Sequence, residues 1–435
     1  MLQKLPVQLF HRPSFPPLRL ILVCFAALAV SFPIAIISIS KLLVFLYAMG
    51  SLVAGWVVQN KRQKEVENYS TIPILVAIAA IGASGLWSSG TTPEVLAAVS
   101  KHAKLVLIPV ILYLLRSRRE AMIAMVFFAI GQIFLLLSTW LLASGINVPW
   151  SKNTADSVQL AIFSSYLDQS IMTAVFAAFC WHLRVLLPAR LRPTAIIASL
   201  MAMVCVFFFF QGRTGHVIAL AMIALACFFE APKRYRIGAL LLPLIILLGL
   251  FAGSEKVRQG LTEAANGIGV FSQGTISTSS AAIRINFWHR SIQAMGEYPW
   301  LGSGAGSWSH EFNLKEAASA QPNFVKNRGN PHQEFLLWGV ELGILGIALL
   351  CGIFSALYRD SLLLAQAPRR TAQSLLLALI LACLFNTALF DALIGDFFCA
   401  AFGLILALGR YLGLAPGQPR AAIAQPLSRE QSRLP

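Results

Sequence analysis

Apolar runs follow one another along most of the chain, each close to the roughly 20 residues needed to cross a bilayer core of about 30 Å. They predict helical spans near residues 20–39, 42–58, 71–88, 95–115, 121–143, 166–187, 193–210, 215–230, 236–253, 334–357, 372–390 and 393–412. The first run follows Lys4, Arg12 and Arg19. It is too long for the core of a signal peptide and no A-x-A site closes it, so it reads as a retained first helix. A single long polar interruption, residues 254–333, separates the ninth span from the tenth.

That interruption has its own pattern. Residues 267–280 are rich in Gly, Ser and Thr, and Ser279 or Ser280 is placed to cap a following helix. Beyond them Ile283, Phe287, Trp288, Ile292 and Met295 recur at helical spacing. They predict an amphipathic helix lying on or near the membrane surface, with Arg284 and Arg290 as its cations. Tyr298-Pro299-Trp300 and the glycines Gly302, Gly304 and Gly306 end it.

Composition agrees with the pattern. The chain is 57% hydrophobic and 12% charged, against about 25% charged in soluble domains. The expected fold is an all-α polytopic membrane protein with about 12 spans, because in lipid a helix satisfies its own backbone. Four segments result: spans 1–9 in 1–253, the loop 254–333, spans 10–12 in 334–412, and a disordered tail 413–435 rich in Pro, Gln and Arg.

The formal charge of +16 matters through its placement. Clusters at Lys61/Arg62/Lys64, Arg116/Arg118/Arg119, Arg184/Arg190/Arg192, Lys233/Arg234/Arg236 and Arg359/Arg369/Arg370 occupy alternate gaps, and both termini are basic. The intervening gaps Ser88–Glu94, Gln211–Thr214 and Asp391–Ala392 hold only Arg213. By the positive-inside rule the clusters and both termini are cytoplasmic. The long loop, Arg213 and the polar gap from Ser144 to Ser165 then face the other side. The basic balance reports topology and calls for no nucleic-acid partner.

Candidate chemistry gathers on that outer side. His332-Gln333 stands where the loop re-enters the membrane, with Gly343 and Gly346 further along the same helix. Glycines in a spanning helix let a second helix approach closely, which would place the polar pair at a tightly packed mouth. An isolated histidine at a helix start can equally be an interface residue. Arg213 lies in Gln211-Gly212-Arg213-Thr214-Gly215, after four phenylalanines. It either snorkels to lipid phosphates or binds a phosphate ligand through its guanidinium fork. Arg284 carries the same two readings, and together the two arginines could clamp a pyrophosphate. Lys101 and Lys104, at the outer end of the fourth span, are weaker candidates for that role. His102, His289 and His310 are assigned no chemistry.

Other chemistries lack their signatures. The seven cysteines lie in apolar runs with no C-x-x-C spacing, as small buried residues do. There is no D-x-D for a metal and nucleotide diphosphate, no phosphate-binding G-x-x-x-x-G-K-[ST] and no G-x-S-x-G nucleophile elbow. Gly302-x-Gly304-x-Gly306 is not the dinucleotide fingerprint and has no βαβ setting.

His332-Gln333, nine residues, Gly343, two residues and Gly346 fit the pattern H-[NSQ]-x9-G-x-x-[GTY]. With Arg213-Thr214-Gly215 at the outer end of a span, and Arg284, Trp288 and Pro299-Trp300-Leu301-Gly302 in the loop, the chain resembles the O-antigen ligase and polymerase superfamily. That superfamily also includes bacterial protein O-oligosaccharyltransferases. The resemblance covers roughly residues 70 to 410. It implies a metal-independent glycosyltransferase of the GT-C type in the bacterial inner membrane, without cofactor or nucleotide, its site facing the periplasm. The donor would be O-antigen on undecaprenyl pyrophosphate and the acceptor a lipid A-core sugar, both reached among membrane lipids. Ligase fits best within the group, since the protein-glycosylating members usually carry a further C-terminal soluble region where this sequence has a short tail. In the implied roles His332 is general base, suited by an ordinary pKa near 6.5. Arg213 and Arg284 hold the pyrophosphate, and Gln333, Gly343 and Gly346 support the motif. The competing class, a lipid-linked oligosaccharide transporter, predicts ionisable residues along a path through the membrane and often repeated halves. Most spans here lack central charges.

Overall fold

The computed structural model describes residues 17–57, 68–157, 159–239, 280–318 and 329–413, with a few isolated positions between 241 and 262. Its elements are α-helices α1 (Leu18–Ala29), α2 (Ile34–Val57), α3 (Thr71–Ser84), α4 (Thr92–Ala103), α5 (Leu107–Leu114), α6 (Arg118–Ala143), α7 (Tyr166–Leu183), α8 (Arg192–Val204), α9 (Arg213–Glu230), α10 (Arg236–Ala239), α11 (Ser280–Glu297), α12 (Trp308–Ala317), α13 (Glu334–Leu362), α14 (Gln366–Phe385) and α15 (Ala392–Gly413). Among the described residues nine helical stretches are long and apolar enough to cross a membrane, α4 and α5 counting as one, and α1 and α3 are shorter apolar helices. The chain is a polytopic membrane protein. Most of the expected span 236–253, the Gly/Ser-rich stretch before Ser280 and the C-terminal tail lie outside the described residues.

The first two expected spans are divided differently. Hydropathy put a break near residue 40, but α1 stops at Ala29 and α2 starts at Ile34. Pro33 decides this, since a proline cannot continue the helix before it and fits where a new one begins. Hydropathy does not register it, because the flanking residues remain apolar.

The bundle is built around α15, whose window Ala392–Leu412 is 94% buried within the protein, against 22% for Ile34–Ala54 on the periphery. α15 packs on α5, α6, α7 and α14. Among the described residues, several basic gaps are tied by ion pairs at one end of the bundle. Arg19 bonds Glu120 at 2.5 Å, and Arg184 and Arg370 share Glu230 at 3.2 and 3.3 Å. Asp360, near the end of α13, accepts the Tyr69 and Ser70 amides. Deeper in the bundle Lys41 meets both oxygens of Asp396 at 2.8 Å, the pairing that charge needs in a dry setting.

At the opposite end α13 is broken. Gly343 has φ 61° and ψ −149°, a conformation for glycine rather than L side chains. The backbone groups freed at the break pair with the loop after α11. Ser303 and Gly304 amides donate to Val340 and Glu341 carbonyls at 2.8 and 3.0 Å, and the Ile344 amide donates to the Pro299 carbonyl at 2.8 Å. A Cβ on Gly343 would sit 2.5 Å from the Pro299 oxygen, one on Gly302 2.5 Å from the Glu341 carbonyl carbon, and one on Gly346 2.3 Å from the Trp338 oxygen. The motif glycines therefore admit a loop backbone and a sharp kink, where a second helix was expected. Non-helical backbone inside a long apolar helix is tolerated here because protein satisfies it.

The same junction explains the Gly-x-Gly-x-Gly run. Gly304 and Gly306 press on the α3–α4 turn, where a Cβ would come within 2.3 Å of Ser88 and 2.6 Å of Glu94. The buried Glu341 carboxylate accepts from the Gly306 amide at 2.8 Å and lies 3.0 Å from His102 Nε2. His102 is thus part of the scaffold.

Candidate active site

Four segments meet at the end of the bundle away from the basic clusters: the start of α9, the start of α11, residues 330–334, and the α14–α15 connection. α8 ends in a turn of π-helix, Cys205–Phe209, and α9 begins with Arg213. Gly212 and Gly215 let this start press on α7, for a Cβ on Gly215 would be 2.2 Å from Ser170 Oγ. Thr214 is buried and Arg213 exposed.

α11 forms over the residues expected of it, and most of the expected apolar face packs on protein, Phe287 buried and Ile283, Trp288 and Met295 partly so. Phe287 is fully buried against Trp308 and Phe312, with ring centroids 5.4 and 5.2 Å away, and Asn286 and Ser291 are buried with it. The helix is turned onto protein as well as toward its exposed side, where Ile292 remains uncovered. The loop's own apolar residues on α12 supply the partners, so this face does not rest on lipid. Arg290 pairs with Glu316 on α12 at 3.0 Å.

Arg284, one turn before Phe287, reaches the α14–α15 connection. Its Nη1 donates to the Phe385 carbonyl at 3.1 Å and its Nη2 to Asn386 Oδ1 at 3.3 Å. Asn386 Nδ2 donates to Thr214 Oγ1 at 3.2 Å. Burial, and then the nearby charge of Arg213, hold the Arg284 guanidinium below its ordinary pKa. The two arginines that the sequence pairs by topology are within electrostatic reach of each other.

His332 stacks on Phe287, its ring centroid 5.9 Å away. Among the described residues it is the non-glycine residue with positive φ, at 52°. Asn330 holds this turn: its Oδ1 accepts the His332 amide at 3.0 Å, and its Nδ2 donates to Asp391 Oδ1 at 3.4 Å. Gln333 caps α13, its Oε1 accepting the Leu336 amide at 2.5 Å. That contact supports the helix start; the polar pair of the sequence divides into a presented histidine and a capping glutamine.

The α14–α15 connection carries more than its length indicates. The fully buried Glu334 carboxylate accepts Leu389 and Phe390 amides at 2.9 and 3.3 Å and the Trp338 indole at 3.0 Å. Lys104 is buried and donates to the Phe390 and Asp391 carbonyls at 3.2 and 2.7 Å, so its ammonium is engaged in fixing this turn. Lys101 sits 3.9 Å over the Phe390 ring. Burial raises the Asp391 carboxyl above the usual carboxylate range, against the opposing pull of Lys104, the Thr387 hydroxyl and Lys101.

Sequence reading missed Asn386, Asn330, Asp391 and Glu334. Asn330 had a local signal, an Asn two residues before the histidine in a Pro-containing turn. Asn386 had none, since its partners lie 102 and 172 positions away.

Residues 198–351 match the family model described as O-antigen ligase. That stretch is similar to the O-antigen ligase family. No curated protein matches the chain. The matched stretch takes in Arg213, Arg284, His332, Gly343 and Gly346, and members of that family are membrane glycosyltransferase-like enzymes. Asn386 and Asp391, in the α14–α15 connection, and Lys104, in the turn after α4, fall outside the match.

Proposed function

We propose that the protein is an inverting, metal-independent O-antigen ligase of the GT-C type. It transfers polysaccharide from undecaprenyl pyrophosphate to a sugar hydroxyl of lipid A-core. The site faces the periplasm, with both termini cytoplasmic, in a bacterial inner membrane. The observation that carries this reading is the meeting of three separate segments: Asn386 joins Arg284 to Thr214 beside Arg213, and His332 stacks on Phe287, one turn from Arg284.

The chemistry follows from the groups. Pyrophosphate is a good leaving group, so the difficulty lies in the attacking hydroxyl. His332 takes the proton from the acceptor hydroxyl as its oxygen bonds to the anomeric carbon. The bond from that carbon to the pyrophosphate oxygen breaks, and the electron pair leaves with pyrophosphate. Arg213 and Arg284 hold the phosphates and offset the charge that grows on them. Displacement from the face opposite the leaving group inverts the anomeric centre. The guanidinia supply the positive charge that a metal ion gives in other glycosyltransferases. Lys104 and Lys101 act on the turn that carries Asn386 and Asp391; in this reading their aid to the donor is indirect.

Reconstitution tests the proposal. Purified protein receives undecaprenyl-pyrophosphate-linked polysaccharide and O-antigen-free lipopolysaccharide, with EDTA present. High-mass lipopolysaccharide that disappears with His332→Ala is the expected product. Longer chains still on undecaprenyl pyrophosphate would make the protein a polymerase. Movement of the donor lipid between leaflets without either product would make it a transporter.

A further inference from the structure

Asn386 touches no reacting group in the scheme above, yet its side chain joins the two arginine segments. It follows the last residue of α14 in extended conformation, φ −148° and ψ 170°, its amide still bonded to the Ala382 carbonyl. This fixes its side chain, 9% exposed, between α9 and α11. The Oδ1 receives Arg284 Nη2 at 3.3 Å while the Nδ2 reaches Thr214 Oγ1 at 3.2 Å. An amide has one acceptor end and one donor end, and here each meets its complement. Thr214 adjoins Arg213, so a single neutral side chain ties the backbone bearing one guanidinium to the guanidinium of the other.

The neutrality is the informative part. Arg284 lies in electrostatic reach of a second arginine, and a carboxylate would be the usual means of holding it there. A carboxylate would also compete with an anionic ligand for the same charge. A carbonyl and an amide oxygen orient the Arg284 fork and leave its charge unneutralised.

We propose that Asn386 is a positioning residue that sets the spacing of Arg213 and Arg284 for the pyrophosphate of the lipid-linked donor. The proposal rests on the pyrophosphate reading of those arginines.

The test is steady-state kinetics of the full chain in nanodiscs, varying undecaprenyl-pyrophosphate-linked donor and lipopolysaccharide acceptor separately. Asn386→Ala should raise the donor KM about 10-fold, the scale of one lost hydrogen bond to a charged group, and leave the acceptor KM unchanged. Asn386→Asp restores an acceptor for Arg284 but adds negative charge beside the arginines. Its donor KM should exceed that of Asn386→Ala while its melting temperature returns toward wild type. A purely structural role gives the opposite order, with donor KM following stability, and overturns the proposal. Unchanged donor KM in both variants overturns it as well. Thr214→Val severs the other half of the link without touching Arg284 and should raise donor KM in the same direction; if it does not, the proposal fails even where Asn386→Ala does not fold. Arg284→Ala separates the two claims. Should it leave donor KM unchanged, the pyrophosphate reading itself is wrong; should it raise donor KM while Asn386 variants do not, only the positioning role is.

Discussion

Arg284 is held differently from the arginines at the basic end and from Arg290, which pairs with Glu316 on the same side. At the basic end Arg19 meets Glu120, and Arg184 and Arg370 meet Glu230, so cation and carboxylate are matched. At the other end Arg284 is held by a carbonyl and an amide oxygen beside a second arginine. Matched ions mostly anchor helix ends and report which way the chain is threaded. A guanidinium oriented by neutral acceptors keeps its charge available. In the proposed reading, the difference separates arginines that serve topology from Arg284, which serves an anion, a distinction net charge alone does not make.

The comparison can be broken or sharpened by mutation. The largest expected effect is at His332. His332→Ala should lower kcat by about 10²- to 10⁴-fold, the usual range for a lost general base, read as product formed per enzyme at saturating donor. His332→Gly should be equally inactive yet no less stable, because glycine takes φ 52° without the strain an L side chain carries there. A thermal melt of the two variants checks this.

Next come the arginines. Arg284→Ala should lower kcat/KM by about 10²- to 10³-fold, as for removal of a group that stabilises developing negative charge. Arg284→Lys should recover only part of it, since a single ammonium cannot keep both the Phe385 and Asn386 contacts of the guanidinium fork.

Gly343→Ala acts on the fold first. A Cβ there meets loop backbone at 2.5 Å in a conformation suited to glycine, and the expected loss is about 1–3 kcal/mol, measured by unfolding in detergent. Activity should fall with it, because the same junction places the loop bearing Arg284. The smallest effect belongs to the matched end. Glu230→Gln should cost about 0–1 kcal/mol and leave turnover unchanged, since its pairs are partly exposed.

How much of this was legible in the sequence depends on the range of the interaction. Spans, their alternation of basic gaps and the helix at Ala281–Met295 are local patterns, and the sequence carries them. Pro33 shows the limit even there, since a break inside a continuous apolar run escapes hydropathy. Arg213, Arg284 and His332 could be named from type and motif, but not their juxtaposition. Their meeting depends on Phe287 and Thr214, which the pattern names for other reasons, and on Asn386, which is unremarkable until the chain folds. The glycines of the motif were legible as close-contact positions, but not that a loop backbone would fill the break in α13.

The central claim is that the Arg213/Arg284 end binds a pyrophosphate and the Glu230 end does not. Binding of farnesyl pyrophosphate to the detergent-solubilised full chain, measured by calorimetry, tests it most directly. The account predicts an affinity at least about 10-fold weaker in Arg284→Ala and in Arg213→Ala, the scale of one lost charge-assisted contact, with Glu230→Gln at the wild-type value. Wild-type affinity in both arginine variants would contradict it.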